Sequence, residues 1–514
     1  MPEIKEMQSD GSPWKKVGRR GVLQAVLIGL ILVIGAIYFY PKYFAEKPPL
    51  KSTVTDKSIA ILPFVDKSPD GDQVWYTNGI MEEVRNYLVQ VQNLKISSGT
   101  ATMGFKDSDK SYQEIGEELG VAYMLTGSVM RLGNNIKINV QLIDVSTGEY
   151  RWAESYDQQL TGVFTILSEI AQKVASTLNT QIQSQLIERL EQMPTENMEA
   201  YDLFLKALGS NFIVSTDHKQ KIEWLNEAIQ LDSNFAKAYG LLGETMLFQA
   251  GYAQDKNPSD VGGEAKAMIE KALLLDPLDG QVNGNMATYY LWYEKDFNKA
   301  EIHNLISIRQ APSSERAYLS YLCFLLPTGR FQEAIPIGTK LRELAGNNPG
   351  YQGLNALLWA FNNEEEKMNE SIRQAKQTPN NILAITESAH AYLIQKEYDQ
   401  VLEILHLSDS IQQIPRVIGL KSIAYYKTGD IENHNRELDS LVQKSTETAG
   451  GSPSFYIAMI YSSKNNVDEA FRWLEKSFQD NEIELHWLKV EPEFESLYND
   501  PRWQEMLDKV GFPE

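Results

Sequence analysis

The sequence predicts a multidomain chain: one N-terminal transmembrane helix, a small α/β domain, and an all-α superhelix of repeated helix pairs. Three observations predict it. Val22 to Tyr40 is a 19-residue run without a charge. Residues 121–157 alternate apolar and polar side chains between turn-forming Gly and Asn. From Met198 onward almost every segment has helical period, with Gly, Pro or Asn breaks every 15–20 residues.

About 20 apolar residues are enough to cross a bilayer as a helix. Lys15, Lys16, Arg19 and Arg20 precede the run, so the positive-inside rule keeps residues 1–21 cytoplasmic and exports the chain beyond 22–40. A cleavable leader would need a small-x-small site, but Gly35-Ala36 is followed by bulky residues, and no lipid-accepting cysteine comes after the run. The expectation is a single-pass anchor in a bacterial inner membrane, with the bilayer as a partner and the bulk of the chain periplasmic. Pro41, Pro48 and Pro49 make 41–57 a linker.

The α/β domain is expected over 58–190. Ser58–Phe64 is a short apolar run typical of a buried strand. Thr77–Gln92 comes next with helical spacing, Ile80, Val84, Leu88 and Val91 on one face and Glu82, Glu83 and Arg85 on the other. Leu94–Ser98 is a second strand, and Tyr112–Leu119 a second helix with Ile115 and Leu119 at i, i+4. In the 121–157 stretch Ile136, Ile138, Val140 and Leu142 alternate with polar residues, the period-2 signature of a half-buried strand. Gly133-Asn134-Asn135 and Ser146-Thr147-Gly148 supply the turns of a three-stranded antiparallel meander. A long helix, Gly162–Leu190, closes the domain.

SIAILPF, NGIMEEVRNYL, IGEELGVAYMLTGSV and QLIDVSTGEYRWAESYD occur in this order over roughly residues 58–180. Together they resemble the TolB-like amino-terminal domain of bacterial membrane proteins. The resemblance implies an α/β fold followed by a tetratricopeptide array, and no common catalytic residues. The same arrangement accompanies some adenylate cyclases and membrane-spanning transcription regulators.

Within 198–484 small residues recur in a tetratricopeptide pattern. Leu205, Leu208-Gly209 and Phe212 are followed by Leu225 and Ala228; the next unit has Tyr239, Leu242-Gly243, Ala265 and Ala272. Glycine at 209 and 243 lets one helix of a pair approach the other, and Asp276-Pro277 ends a helix. Six to eight repeats are expected, the middle ones degenerate. Residues 485–514, with Trp487, Phe494, Leu497 and Trp503, are expected to cap the last repeat.

The net charge of −21 is uneven: residues 1–57 hold nine Lys/Arg against five Asp/Glu, so the rest is more acidic still. Such a body repels nucleic acid. The single cysteine, Cys323, lies in an apolar run and forms no intrachain disulfide. The six histidines show no HxH or HxxxH spacing, and phosphate-binding glycine loops and GxSxG are absent, so no metal, cofactor or catalytic residue is assigned. Acidic pairs such as Glu82-Glu83 read as solvated faces. The remaining expectation is a non-enzymatic scaffold or sensor whose concave groove grips a protein or peptide. By repeat phase Lys237, Glu244, Thr288 and Trp292 face that groove. The alternative is a signalling component related to the cyclase or regulator architecture, acting through a separate effector.

Overall fold

The computed structural model describes residues 57–69, 73–106, 108–180, 192–210, 218–252, 258–345 and 348–513. The sheet is built first. β1 (Ser58–Ile61) is buried along its whole length because it lies inside the sheet, parallel to β3 (Lys95–Ile96) on one side and β4 (Tyr123–Leu132) on the other. β2 (Val65–Asp66) extends that pairing, with Val65 opposite Ser128. β4, β5 (Asn135–Asp144) and β6 (Tyr150–Gln159) run antiparallel, giving the order β3-β1-β4-β5-β6 in an open sheet. Gly133 takes φ +58° in the two-residue β4–β5 turn, a conformation that suits glycine.

Alternation then decides which face packs where. Ile136, Ile138, Val140 and Leu142 of β5 point to α1 (Val74–Leu88) and to α4 (Val163–Thr177). On the other face Ala60, Leu62, Met124 and Val145 pack with Ile115 of α3 (Tyr112–Leu119), while the short α2 (Gly99–Met103) lies between α1 and α3 in sequence. α3 starts with a capping box, Ser111 and Glu114 satisfying each other's backbone N–H groups.

Eight antiparallel helix pairs come after the sheet domain among the described residues. They are α5/α6 (Met198–Gly209, His218–Leu231), α7/α8 (Ala236–Tyr252, Pro258–Leu275), α9/α10 (Gly280–Tyr289, Phe297–Gln310) and α11/α12 (Glu315–Leu325, Phe331–Ala345). The rest are α13/α14 (Pro349–Phe361, Glu365–Ala375), α15/α16 (Ile382–Ile394, Tyr398–Leu405), α17/α18 (Pro415–Thr428, Ile431–Glu447) and α19/α20 (Pro453–Ser463, Val467–Gln479). Two 3₁₀ turns, Ile483–Trp487 and Pro492–Leu497, lead to α21 (Pro501–Val510). Small residues set the spacing within pairs: a Cβ on Gly243 of α7 would lie 2.6 Å from the Ile269 side chain and 3.2 Å from the Ala265 carbonyl oxygen of α8.

The architecture is thus mostly α-helical repeats with a small open β-sheet subdomain. It corrects the expectation of a membrane-anchored multidomain chain. The expected span at 22–40 lies outside the described residues, and among those described no helix is long and apolar enough to cross a membrane. Their apolar stripes are used against neighbouring helices. The bilayer partner and the inner-membrane, periplasmic placement are therefore withdrawn.

Residues 485–513 also reach helices far from the last pair. Trp487 stacks on Phe361 of α13 with ring centroids 6.3 Å apart, and Phe512 stacks on Phe297 of α10 at 4.9 Å. Asn481 donates to the Tyr293 carbonyl at 3.0 Å and accepts from Lys295 Nζ at 2.5 Å. The chain end thus buries against α13 and against the start of α10.

Candidate functional site

The four groove candidates are all engaged within the chain, and the sheet domain takes part. α1 is the reason. An amphipathic helix at the edge of a molecule has one buried face, but α1 has two, because it lies between the sheet and α5. Glu83 is 0% exposed and Arg85 is 6% exposed, so the face that reads as solvated in sequence is buried.

The helices α1 and α5 meet backbone to backbone. A Cβ on Gly79 would lie 2.5 Å from the Leu205 carbonyl oxygen. One on Gly209 would lie 1.9 Å from the Trp75 carbonyl oxygen and 2.8 Å from the Gly79 nitrogen. Gly209 therefore serves the contact with the sheet domain, where spacing alone suggests a contact within its own helix pair. One hydrophobic core runs through this crossing, from Ile80 and Val84 to Tyr201, Leu205 and Leu241.

Lys237 of α7 reaches into the same contact. Its Nζ lies 2.5 Å from Glu83 Oε2 and 5.3 Å from the centre of the Tyr87 ring. Burial alone pushes the Lys237 pKa down, but the Glu83 carboxylate and Tyr87 more than offset it, and the net shift is upward. Glu244, about two turns further on, accepts from Gln281 Nε2 at 2.6 Å and from Asn285 Nδ2 at 3.3 Å, and pairs with Arg316. Burial raises its pKa, and Arg316 and Lys221 outweigh that, leaving a carboxyl that stays ionised below the usual range. Thr288 bonds back to the Gly284 carbonyl of its own helix at 3.1 Å. Trp292 is 9% exposed and packs edge-on against Phe248, ring centroids 5.7 Å apart. The structure thus joins Lys237 and Glu244 to a charged lattice and leaves Thr288 and Trp292 in the packing between pairs.

Further links fix the sheet domain on the array. The Ser313 N–H donates to the Val89 carbonyl at 3.0 Å and its hydroxyl to the Val91 carbonyl at 2.7 Å. Asn348 Nδ2 donates to Ser98 Oγ at 3.2 Å. Arg85 binds the Ser97 carbonyl and lies near Glu315, whose carboxyl is raised by burial and lowered by Arg85. Ser98, Ser313 and Asn348 are not distinguished in sequence, since a lone Ser or Asn between helices carries no periodic signal.

A second polar cluster holds the tail. Arg416 of α17 donates to Glu387 at 2.7 Å and to His390 Nδ1 at 3.0 Å, and His390 Nε2 lies 2.9 Å from Glu491. Glu482 accepts from the backbone N–H groups of Ser454 and Phe455 at 2.9 and 2.8 Å, capping the start of α19. Burial pushes its carboxyl up to about 7. Burial also pushes Lys295 down to about 7 and His486 to about 3. Among the described residues no group of three or more His, Cys, Asp or Glu is placed to hold a metal ion. Cys323 is half-buried, with its thiol pushed up to about 12.

Glu482 gives a pH prediction. Between about 4.5 and 7 the folded chain holds a proton that the unfolded chain releases, so this residue's contribution to stability falls as pH rises. Glu482→Gln removes the ionisation and keeps an acceptor oxygen. Its stability relative to the parent is expected to improve by about 2 kcal/mol between pH 5 and pH 8. Urea titrations at the two pH values measure the change; a pH-independent difference would show that Glu482 titrates normally.

This geometry gives the comparisons with known proteins their context. Residues 55–177 match the HilA/YgeH-like transcriptional regulator, second domain. The TolB-like reading of the same stretch is withdrawn. The chain is 28% identical over 259 residues to putative adenylate cyclase 3 of Rhizobium meliloti (strain 1021), covering 50% of this chain and 43% of that protein. It is 23% identical over 296 residues to the cell division cycle protein 27 homolog of Caenorhabditis elegans, covering 54% of this chain and 36% of that protein. The chain therefore spans less than half the length of the curated relatives it matches. Among solved structures, yeast Tom70 is similar at 10% identity and a TM-score of 0.32, over 68% of this chain and 89% of that one.

Proposed function

We propose that this chain is a non-catalytic signalling component that controls a separate effector through protein contact. The observation that carries the reading is the match of the sheet domain, over 55–177, to a domain of transcriptional regulators. The half-chain similarity to a putative adenylate cyclase supports it from a second direction. Repeated helix pairs suit the role because each pair exposes a fresh set of side chains on a rigid frame. On this reading Lys237, through Glu83, holds the sheet domain to the array, Glu244 ties helices within the array through Arg316, and the effector meets that body from outside.

The test combines deletion with crosslinking. Photo-crosslinking residues placed on the exposed faces of α14 and α18 are expected to capture a nucleotide cyclase or a DNA-binding regulator. Deleting the chain is expected to change cyclic-nucleotide or transcript levels. Unchanged levels of both, together with capture of neither class, would overturn the reading.

A further inference from the structure

The first helices of four pairs and the returning tail bring five polar side chains together. Cys323 comes from α11, Glu387 from α15, Arg416 from α17, Tyr456 from α19 and Glu484 from the first 3₁₀ turn of the tail. The charges of Glu387, Arg416 and Glu484 act on both the Cys323 thiol and the Tyr456 phenol, which places the five side chains around one point. Gly419, about one turn beyond Arg416, lets Tyr456 in. A Cβ there would lie 2.7 Å from the Tyr456 Cβ and 2.9 Å from its Cγ, so the Tyr456 side chain rests directly against α17.

Three of these groups have bonding capacity left over. Glu484 donates its backbone N–H to Ser452 Oγ at 3.2 Å, but its carboxylate accepts no hydrogen bond and forms no ion pair among the described residues. Arg416 is near enough for its charge to act on Glu484, yet no ion pair joins them, because its Nη2 is spent on Glu387 and His390. The Nε and Nη1 groups of Arg416 carry no bond among the described residues. Tyr456 is 3% exposed, and its hydroxyl has no hydrogen-bond partner among the described residues. The orphaned hydroxyls of Tyr76 and Tyr201 are sealed from solvent, whereas that of Tyr456 is not. It opens on the gap between Glu484 and Arg416, the two charges that act on it most.

An unpaired carboxylate, unspent guanidinium donors and a free hydroxyl around one gap call for a ligand that carries both signs. The ammonium group of an α-amino acid supplies donors for Glu484, and its carboxylate, one carbon away, accepts from Arg416 and Tyr456. A simple anion leaves Glu484 unpaired, and a simple cation leaves Arg416 and Tyr456 unmet. The tail lies across this part of the array, with Trp487 stacked on Phe361 and Glu491 bound to His390, which favours a free amino acid over the end of a polypeptide. We propose that the inner face of the array binds a free α-amino acid between Glu484 and Arg416, with the Tyr456 hydroxyl as a third contact.

Thermal unfolding of the full chain with each standard amino acid in turn is expected to show at least one that raises the midpoint. Its N-acetyl form, which lacks the ammonium, and its amide, which lacks the carboxylate, are expected to give no shift. Tyr456→Phe and Glu484→Gln remove groups that have no side-chain hydrogen bond among the described residues, so the midpoint without ligand is expected to hold. Each is expected to weaken binding by at least about tenfold in isothermal titration calorimetry. Absence of a shift from every standard amino acid, or an equal shift from the blocked forms, overturns the proposal. So does binding that both variants retain in full. The readout is binding alone, so the outcome is separate from the capture of an effector.

Discussion

Gly209→Ala is expected to lower the stability of the fold by about 3 kcal/mol, against the sign that helix propensity gives. In an exposed helix the same change stabilises by about 1 kcal/mol, because alanine has less backbone freedom to lose. At position 209 the added methyl would sit 1.9 Å from the Trp75 carbonyl oxygen of α1. That atom is backbone, so no rotamer change relieves the clash; α1 or α5 must move. Moving either opens the core that runs from the sheet to α7 and stretches the Lys237–Glu83 pair. Gly263 on α8 is the control, since a Cβ there meets nothing within 4 Å. Gly263→Ala is expected to be neutral or slightly stabilising. Urea unfolding of the two variants settles the comparison, and a Gly209→Ala chain as stable as the parent would mean that α1 and α5 do not touch through backbone.

The same glycine shows what the sequence makes legible. That a small residue is needed at 209 is evident from the repeat spacing, but its partner is not. The repeat pattern points to the second helix of the same pair, and the fold supplies α1 from 130 residues upstream instead. The acidic pair Glu82-Glu83 fails for a related reason. Amphipathic spacing assigns one buried face per helix, and α1 has two, so its charged face reads as solvated until the array is placed against it. Alternation within β5 is legible because period 2 depends only on neighbours along the strand. Trp487 lies between these cases: its burial is evident from its apolar neighbours, while its contact with Phe361, far up the array, is a property of the superhelix. The ordered motifs of 58–180 carry the order of strands and helices, which several families share. They do not by themselves separate a TolB-like domain from the second domain of a HilA/YgeH-like regulator.

The groove candidates carry a further physical lesson. Repeat phase assigns a residue to the first helix of a pair, yet it says nothing of what already covers that helix. Here the covering groups are α1 at one end and the returning tail at the other, and both bring charges of their own. Lys237 is thereby paired with Glu83 of α1, while Glu244 takes its cation, Arg316, from α11 within the array. Their pKa shifts reflect their partners, with desolvation opposed in each case by a charge of the other sign.

Arg416→Met is expected to be the most damaging change at the tail, by about 3–5 kcal/mol at neutral pH. The guanidinium is the cation for Glu387, and its charge also reaches Glu484. The Arg416 side chain is 16% exposed and that of Glu387 is 5% exposed, so solvent cannot take over when the cation is lost. Methionine preserves much of the stem's packing, which isolates the charge. Removing one partner of a buried pair is costly because the other is left desolvated. The pH dependence has a definite sign. Without Arg416 the Glu484 carboxyl, already raised by burial, loses the charge that lowers it and binds its proton more readily folded than unfolded, so the deficit should shrink as pH falls toward 5. Arg416→Lys is expected to fall between parent and Met, since it keeps the charge and loses the planar fork that serves Glu387 and His390 together. Urea titrations at pH 8 and pH 5.5 measure all three chains. A deficit that stays constant across that range would assign the loss to packing, and the tail would then be held by Trp487 and Phe512 rather than by charge.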